Sequence, residues 1–194
     1  MIMSNKFLVE TSARHVHLTA EAVEVLFGAG HQLTNKKDLS QPGQFACEEK
    51  VTVIGPKGSL KASILGPARP ASQVELSLTD ARTIGVAGVP VRESGDIAGS
   101  APITIVGPRG IVTLTEGCII ANRHIHMSPA DGARFGVKDG DYINVDVSSG
   151  TKHTLWYDVQ VRVSDKFALE MHVDTDDANA VGIKNGSVVT MVKA

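Results

Sequence analysis

The sequence predicts a mainly β fold, a barrel or a sandwich, made of two related halves with a few short helices. Three observations carry this expectation. Short runs that alternate β-branched with polar residues are broken throughout by Gly and Pro, the pattern of strands joined by tight turns. Helical patterns are few and short. And "SARHVHLT" (12–19) returns 109 residues later as "ANRHIHMS" (121–128), while "TDARTIGV" (79–86) returns 97 residues later as "DDANAVGI" (176–183). Two strings recurring in the same order mark an internal duplication, and hairpin loops of unequal length account for the difference in spacing.

Each half then reads as a strand carrying His-x-His, a helix, a hairpin, a strand and a second helix. His15 and His17 open the first half. In "TAEAVEVLFGAG" (19–30), Thr19 can accept from the orphan N–H groups of a first helical turn, and Gly28 stops the helix. "NKKD" (35–38) gathers adjacent charges and reads as a solvated loop, with His31 as a loop residue before it. "VTVIGPKGSLKASILGPA" (51–68) is two strands around a GPKG turn, and "ITIVGPRGIVTL" (103–114) repeats that form. His124 and His126 open the second half. "SPADGARFG" (128–136) is the better capped helix. Ser128 is its N-cap, Pro129 takes the first position where a missing N–H costs nothing, Asp131 follows, and Gly136 closes it. "YINVDVSSGTKHTLWYDVQVRV" (142–163) is a third hairpin turning at SSG, with His153 on its second strand.

A chain of 194 residues can bury one large core or two small ones. Its formal net charge of −2 at pH 7 argues against a binder of nucleic-acid phosphates, which carries a basic stripe. Cys47 and Cys118 lie far apart and form no CxxC unit, as expected of a reduced intracellular protein. The first residues, "MIMSNKFLVETSA", show no secretory signal, and no run approaches the ~20 apolar residues that cross a bilayer. These features predict a soluble intracellular chain.

The chemistry lies in the repeat. Side chains at i and i+2 of a strand share a face, so His15 and His17 project together, as do His124 and His126, and each pair can chelate one metal ion. A catalytic zinc ion takes three protein ligands and keeps an open position, which leaves each pair one ligand short. The second aligned string supplies it. Glu75 lies four residues before Thr79, and the position 97 residues further on is His172. Two sites are therefore expected, His15/His17/Glu75 and His124/His126/His172. Zinc suits both, and all-His sites also suit cobalt, nickel or iron. Cys47, beside Glu48 and Glu49, is a soft donor but reads as a half-buried strand cysteine.

Arg14 and Arg123 precede the two His pairs and point to the opposite face, where an internal ion pair and a substrate contact are both open readings. Arg69 lies six residues before Glu75. Along an extended segment that even offset returns it to the Glu75 face, where a guanidinium can bind an anion bidentately. The GPKG, GPAR and GPRG turns do not match the P-loop pattern, so no nucleotide-cradling loop is expected.

Taken in order, "SARHVHLT", "GPARPASQVELSLTDARTIG", "ANRHIHMS" and "EMHVDTDDANA" span nearly the whole chain and resemble the PduL family of phosphate propanoyltransferases, or phosphotransacylases. The resemblance implies two small β-barrels capped by short helices, with the active site between them. One barrel would comprise residues 14–121; the other would join residues 1–13 to 122–194. It implies reversible conversion of a propanoyl- or acetyl-CoA and phosphate to acyl phosphate and CoA. It implies two zinc ions, on His15, His17 and Glu75 and on His124, His126 and His172, with Arg69 as the catalytic anion-binding arginine. It further implies a homodimer working with an acetate or propionate kinase. Only about ten residues precede the RHVH strand, so the extension that directs relatives into microcompartments is not evident and a cytoplasmic form is expected.

Three other readings compete. A zinc hydrolase of the amidohydrolase type opens its site with His-x-His but needs a TIM barrel of ~250 residues. A cupin would use Glu21 after "HVH", yet Glu21 falls inside the capped helix. A non-catalytic zinc-stabilised binding module would close each site with four protein ligands.

Overall fold

The computed structural model describes residues 5–192. The expectations placed on the chain's first residues cover residues 1–4, which lie outside the described residues. The first repeat runs through β1 (Lys6–Ser12), β2 (His15–His17), α1 (Ala20–Phe27), β3 (Asn35–Asp38), β4 (Phe45–Gly55) and β5 (Gly58–Gly66). It continues with β6 (Gln73–Glu75), α2 (Leu78–Ile84), β7 (Val91–Arg92) and β8 (Ala101–Val106). The second holds β9 (Ile111–Ala121), β10 (His124–Met127), α3 (Pro129–Phe135), β11 (Tyr142–Val147), β12 (Thr154–Val163), β13 (Glu170–Asp174), α4 (Thr175–Val181) and β14 (Ser187–Val192).

The fold is mainly β, and the strands close into two six-stranded barrels. One follows the order β1-β13-β10-β12-β11-β14 and returns to β1. The other follows β9-β6-β2-β5-β4-β8 and returns to β9, with β3 appended to β4 and β7 to β9. Strand for strand the two rings have the same order and the same senses. β10·β12 and β2·β5 are parallel, as are β13·β1 and β6·β9, and the other ring pairs are antiparallel. The correspondence exposes an exchange: β1 opens the first repeat but lies in the barrel of the second, and β9 opens the second but lies in the barrel of the first. The chain divides accordingly. One compact unit takes the segment ending at Ser12, Ser40–Pro42 and the chain from Asn122; the other takes Ala13–Leu39 and Gly43–Ala121.

Each barrel is filled by one face of its strands. In β1 the buried residues are Phe7 and Val9, and in β11 they are Ile143, Val145 and Val147, alternating with more exposed neighbours as the pleat requires. They pack with Ile125, Phe135, Trp156, Val161 and Met171 in one core. Val16, Leu18, Leu26, Ile64, Ile84 and Ile105 fill the other, together with Cys47 and Cys118. Each fully buried Val, Leu or Ile stabilises its barrel by about 1.5–3 kcal/mol.

The helices start where polar caps place them. Thr19 and Ser128 accept from the N–H of Ala22 and Asp131, while Ser77 and Asp174, at one repeat position, accept from Asp80 and Asp177. The C-terminal ends of α1, α2 and α4 dock on hairpin turns. Arg109 N–H, in the GPRG turn, donates to Leu26 O at 3.0 Å; Lys57 N–H, in GPKG, donates to Ile84 O at 2.8 Å; Lys152 N–H donates to Val181 O at 3.2 Å. These turns therefore satisfy orphan helix carbonyls. The approach needs glycine: a Cβ on Gly110 would lie 2.3 Å from Val25 O. Gly110→Ala should cost about 1–3 kcal/mol by overpacking, at roughly 2–4 °C of melting temperature per kcal/mol. Gly58→Ala, whose Cβ would meet nothing closer than Thr83 O at 3.8 Å, should change little. Scanning calorimetry of both variants checks this; equal melting temperatures would refute it.

Three local expectations need correction. "NKKD" is not a loop but the exposed edge strand β3, paired with β4, whose lysines keep that edge soluble. His153 precedes β12 instead of lying in it; it is exposed and reaches Asp146 across the turn at 2.6 Å. Cys47 is fully buried, because its side chain faces the core.

Candidate metal-binding sites

β2 runs between β5 and β6, which sets His15 opposite Glu75 and His17 opposite Gln73. His15, His17 and Glu75 are all buried, and each can offer a ligand atom within 4.8 Å of the others. His15 Nε2 lies 3.3 Å from Glu75 Oε2, and His17 Nε2 lies 3.7 Å from Oε1. The opposite ring nitrogens are tied to the backbone, His15 Nδ1–H donating to Ala13 O at 2.9 Å and His17 Nδ1–H to Leu65 O at 3.2 Å. That tautomer turns both Nε2 lone pairs toward the carboxylate, as metal-ligating imidazoles require.

Burial pulls the His15 imidazole down, but the charge and hydrogen bond of Glu75 outweigh it and leave the group above its ordinary value. His17 is driven by burial down to about 4, so it is unprotonated, and competent to ligate, at neutral pH. Burial opposes the ionisation of Glu75, yet the two imidazoles hold it well below the usual carboxylate range.

The second barrel position for position repeats this arrangement. β10 runs between β12 and β13, setting His124 opposite His172 and His126 opposite Glu170. His124, His126 and His172 bring one ligand atom each within 4.8 Å of the others. The His124 and His172 rings stack at 5.3 Å, and His126 meets His172 at 4.7 Å. His124 Nδ1–H donates to Asn122 O at 2.7 Å, the same two-residue back-bond that fixes His15. Phe167 lies against His126 with ring centroids 4.2 Å apart. Both triads fit a divalent metal by donor type, and in each the first histidine of the pair has its tautomer fixed by its own backbone.

The arginines separate. Arg14 Nε pairs with Asp80 at 3.1 Å and Arg123 with Asp177 at 3.1 Å, each Asp being the third helical residue of its repeat's second helix. These matched pairs tie the His strand to that helix, at about 1 kcal/mol or less for such partly exposed groups. Arg69 follows a different path from the expected one. β6 begins only at Gln73, so no strand alternation carries Arg69 to Glu75. Instead Arg69 N–H donates to Leu18 O at 2.8 Å, and its Nη1 donates to Ser94 Oγ at 3.3 Å. Ser94 in turn donates to Glu75 Oε1 at 2.8 Å. The guanidinium charge is felt at both His15 and His17.

Sequence reasoning missed Gln73, Ser94, Glu10 and Glu170. Ser94 lies in a loop with no repeat equivalent to flag it. Glu170 was within reach, being 97 residues beyond Gln73 and two before His172. Glu10 faces His172 across β1 and β13, so Glu10, Glu170 and His172 form a third metal-competent cluster sharing one histidine with the second triad. Glu21 is exposed on α1 and joins no such cluster among the described residues. Cys47 and Cys118 are free and buried, and burial pushes their thiols up to about 11 and about 12. Among the described residues no helix is long and apolar enough to cross a membrane.

Comparison with known proteins agrees over the length of the chain. The family model described as phosphate propanoyltransferase matches residues 8–184. A phosphate propanoyltransferase of Lachnoclostridium phytofermentans is 56% identical over 188 residues, covering 95% of this chain and 86% of the relative. One of Thermotoga maritima is 50% identical over 187 residues, 96% of this chain and 89% of the relative. One of Priestia megaterium is 54% identical over 184 residues, 94% and 84% of the two chains.

Proposed function

The chain belongs to the phosphate propanoyltransferase family, and on that premise we propose that it transfers a propanoyl or acetyl group reversibly between CoA and inorganic phosphate with two zinc ions. Membership of the family makes it a phosphate acyltransferase acting on acyl-CoA and phosphate. The observation that supports two metal sites is the matched pair of buried triads, each with three side-chain donors and a histidine locked by its own backbone. Three protein ligands leave a position for substrate, unlike the closed four-ligand site of a structural module.

His15, His17 and Glu75 would hold one ion and His124, His126 and His172 the other. Bound there, zinc supplies Lewis acidity toward the acyl carbonyl and stabilisation of the thiolate sulfur. The residues themselves divide the work by charge. Glu75 brings a negative charge into the ligand set of its site, whereas the ligand set of the second is three imidazoles, with the carboxyl groups of Glu170 and Glu10 outside it beside His172. Arg69 offers a planar guanidinium, anchored through its backbone and Ser94, to orient phosphate. A phosphate oxygen then attacks the carbonyl carbon, a C–O bond forms, the C–S bond breaks, and the electron pair leaves on CoA sulfur. The product is a phosphoryl donor, so an acetate or propionate kinase, passing its phosphoryl group to ADP, is the reaction that would consume it.

No acyl-enzyme is part of this scheme. Cys47 is buried, and its thiol, at about 11, stays protonated at neutral pH, which disfavours it as a nucleophile. The test is CoA release from acetyl-CoA and propanoyl-CoA with and without phosphate. Release should require phosphate, and protein incubated with acyl-CoA alone should show no mass increase on either cysteine. Release without phosphate would make the protein a thioesterase, and an acylated Cys47 would sink direct attack.

A further inference from the structure

Gln73 and Glu170 occupy one position of the internal repeat, 97 residues apart. Each lies two residues before the third member of its triad, on the same strand and so on the same face. Each stands opposite the second histidine of its pair, Gln73 across from His17 and Glu170 across from His126. The polarity at this position is inverted between the two halves. Where the third member is a carboxylate, the neighbour is an amide that donates: Gln73 Nε2–H reaches Glu75 Oε1 at 2.5 Å. Where the third member is an imidazole, the neighbour carries a carboxyl group, with Glu170 Oε2 3.7 Å from His172 Nε2, within ion-pair reach but longer than a hydrogen bond.

Both neighbours are held in turn. Gln73 is 2% exposed, donates also to Ser94 Oγ at 3.0 Å, and accepts from Gly95 N–H at 2.8 Å on its Oε1. With Ser94 also donating to Glu75 Oε1, two donors converge on that oxygen while Oε2 is turned to His15 Nε2. Glu170 lies beside Gln41, whose side chain is clamped by Ala168 through bonds of 3.1 and 3.2 Å. Beside it too is Glu10, which accepts from Ser40 Oγ.

We infer that Gln73 and Glu170 are matched positioning residues, one for each proposed metal site, and that each carries the polarity its ligand demands. A carboxylate ligand is fixed by donors; an imidazole ligand is fixed, and made more basic, by a carboxylate beside it. The broken symmetry between Glu75 and His172 is thus compensated two residues upstream by a second broken symmetry of opposite sense. The inference rests on the two-site reading above.

The test is zinc affinity, measured by competition with a chromophoric chelator on purified full-length protein. The His124→Ala background keeps only the first site, and the His15→Ala background keeps only the second. Gln73→Met in the first background, and Glu170→Gln in the second, should each weaken zinc roughly 10- to 100-fold. Each substitution placed in the other background should leave affinity unchanged. Gln73→Glu should weaken the first site further than Gln73→Met, since it sets a second carboxylate against Glu75. Wild-type affinity in both matched combinations would overturn the proposal. Should Gln73→Met fold poorly by circular dichroism, the isosteric Glu170→Gln at its half-buried position decides alone. If His15→Ala and His124→Ala each still bound two zinc ions, the two-site reading itself would have failed, which is a distinguishable result.

Discussion

Glu75→Ala should yield a folded protein that holds one zinc ion in place of two and turns over about a thousandfold more slowly. The expectation starts from burial. Glu75 is the one anion set against the two buried imidazoles of its triad, and its two oxygens face one each, Oε2 toward His15 and Oε1 toward His17. On the two-zinc proposal, removing it would leave the ion with two neutral ligands and no charge compensation. Lewis-acid stabilisation worth several kcal/mol disappears with the ion, and each ~1.4 kcal/mol is a factor of ten in rate. His172→Ala should remove the other ion with a comparable loss. Elemental analysis and steady-state rates on the same preparations check both. If Glu75 is merely a strand carboxylate satisfied by two histidines, Glu75→Ala will keep both ions and most of its activity.

Arg69→Lys should raise the KM for phosphate about 10- to 100-fold while the KM for acyl-CoA stays within about a factor of two. A charge-assisted bond contributes about 1.5–3 kcal/mol, and lysine cannot replace the planar fork. Arg69 Nη1 already donates to Ser94, so the guanidinium keeps further N–H groups for a second partner while remaining anchored. An ammonium group at that position would have to choose between Ser94 and phosphate. Initial-rate kinetics with each substrate varied separate the two cases, and an equal rise in both KM values would contradict a phosphate-specific role.

Much of this architecture could be read from residue order alone, for identifiable reasons. The His-x-His strands were legible because period-2 alternation fixes which side chains travel together. The convergence of Glu75 and His172 on their pairs was legible because duplication maps one half onto the other. The helices were legible from single capping residues such as Thr19 and Ser128. Arg69 was located near Glu75 by an argument whose premise failed, since the segment before Gln73 is not a strand. Its proximity comes from a backbone bond to Leu18 and a loop serine, neither of which has a sequence pattern. β3 was misread because exposed lysines on an edge strand look like loop residues when no pairing partner is known. The exchange of β1 and β9 was invisible to the repeat arithmetic, which detects equivalence between strands but not which ring each one joins.

That exchange has a consequence for the order in which the protein is made. β1 leaves the ribosome well before its neighbours β13 and β14, which lie about 160 residues or more further along the chain. Until they emerge, Phe7 and Val9 have no core to enter and both strand edges lack a partner, the state in which chains associate wrongly. β2 follows almost at once but must wait for β9 before its own ring can close. A nascent chain cut at the midpoint of the duplication would hold one strand too many for its own barrel and one too few to complete it. Each copy supplies the opening strand that closes the other's ring.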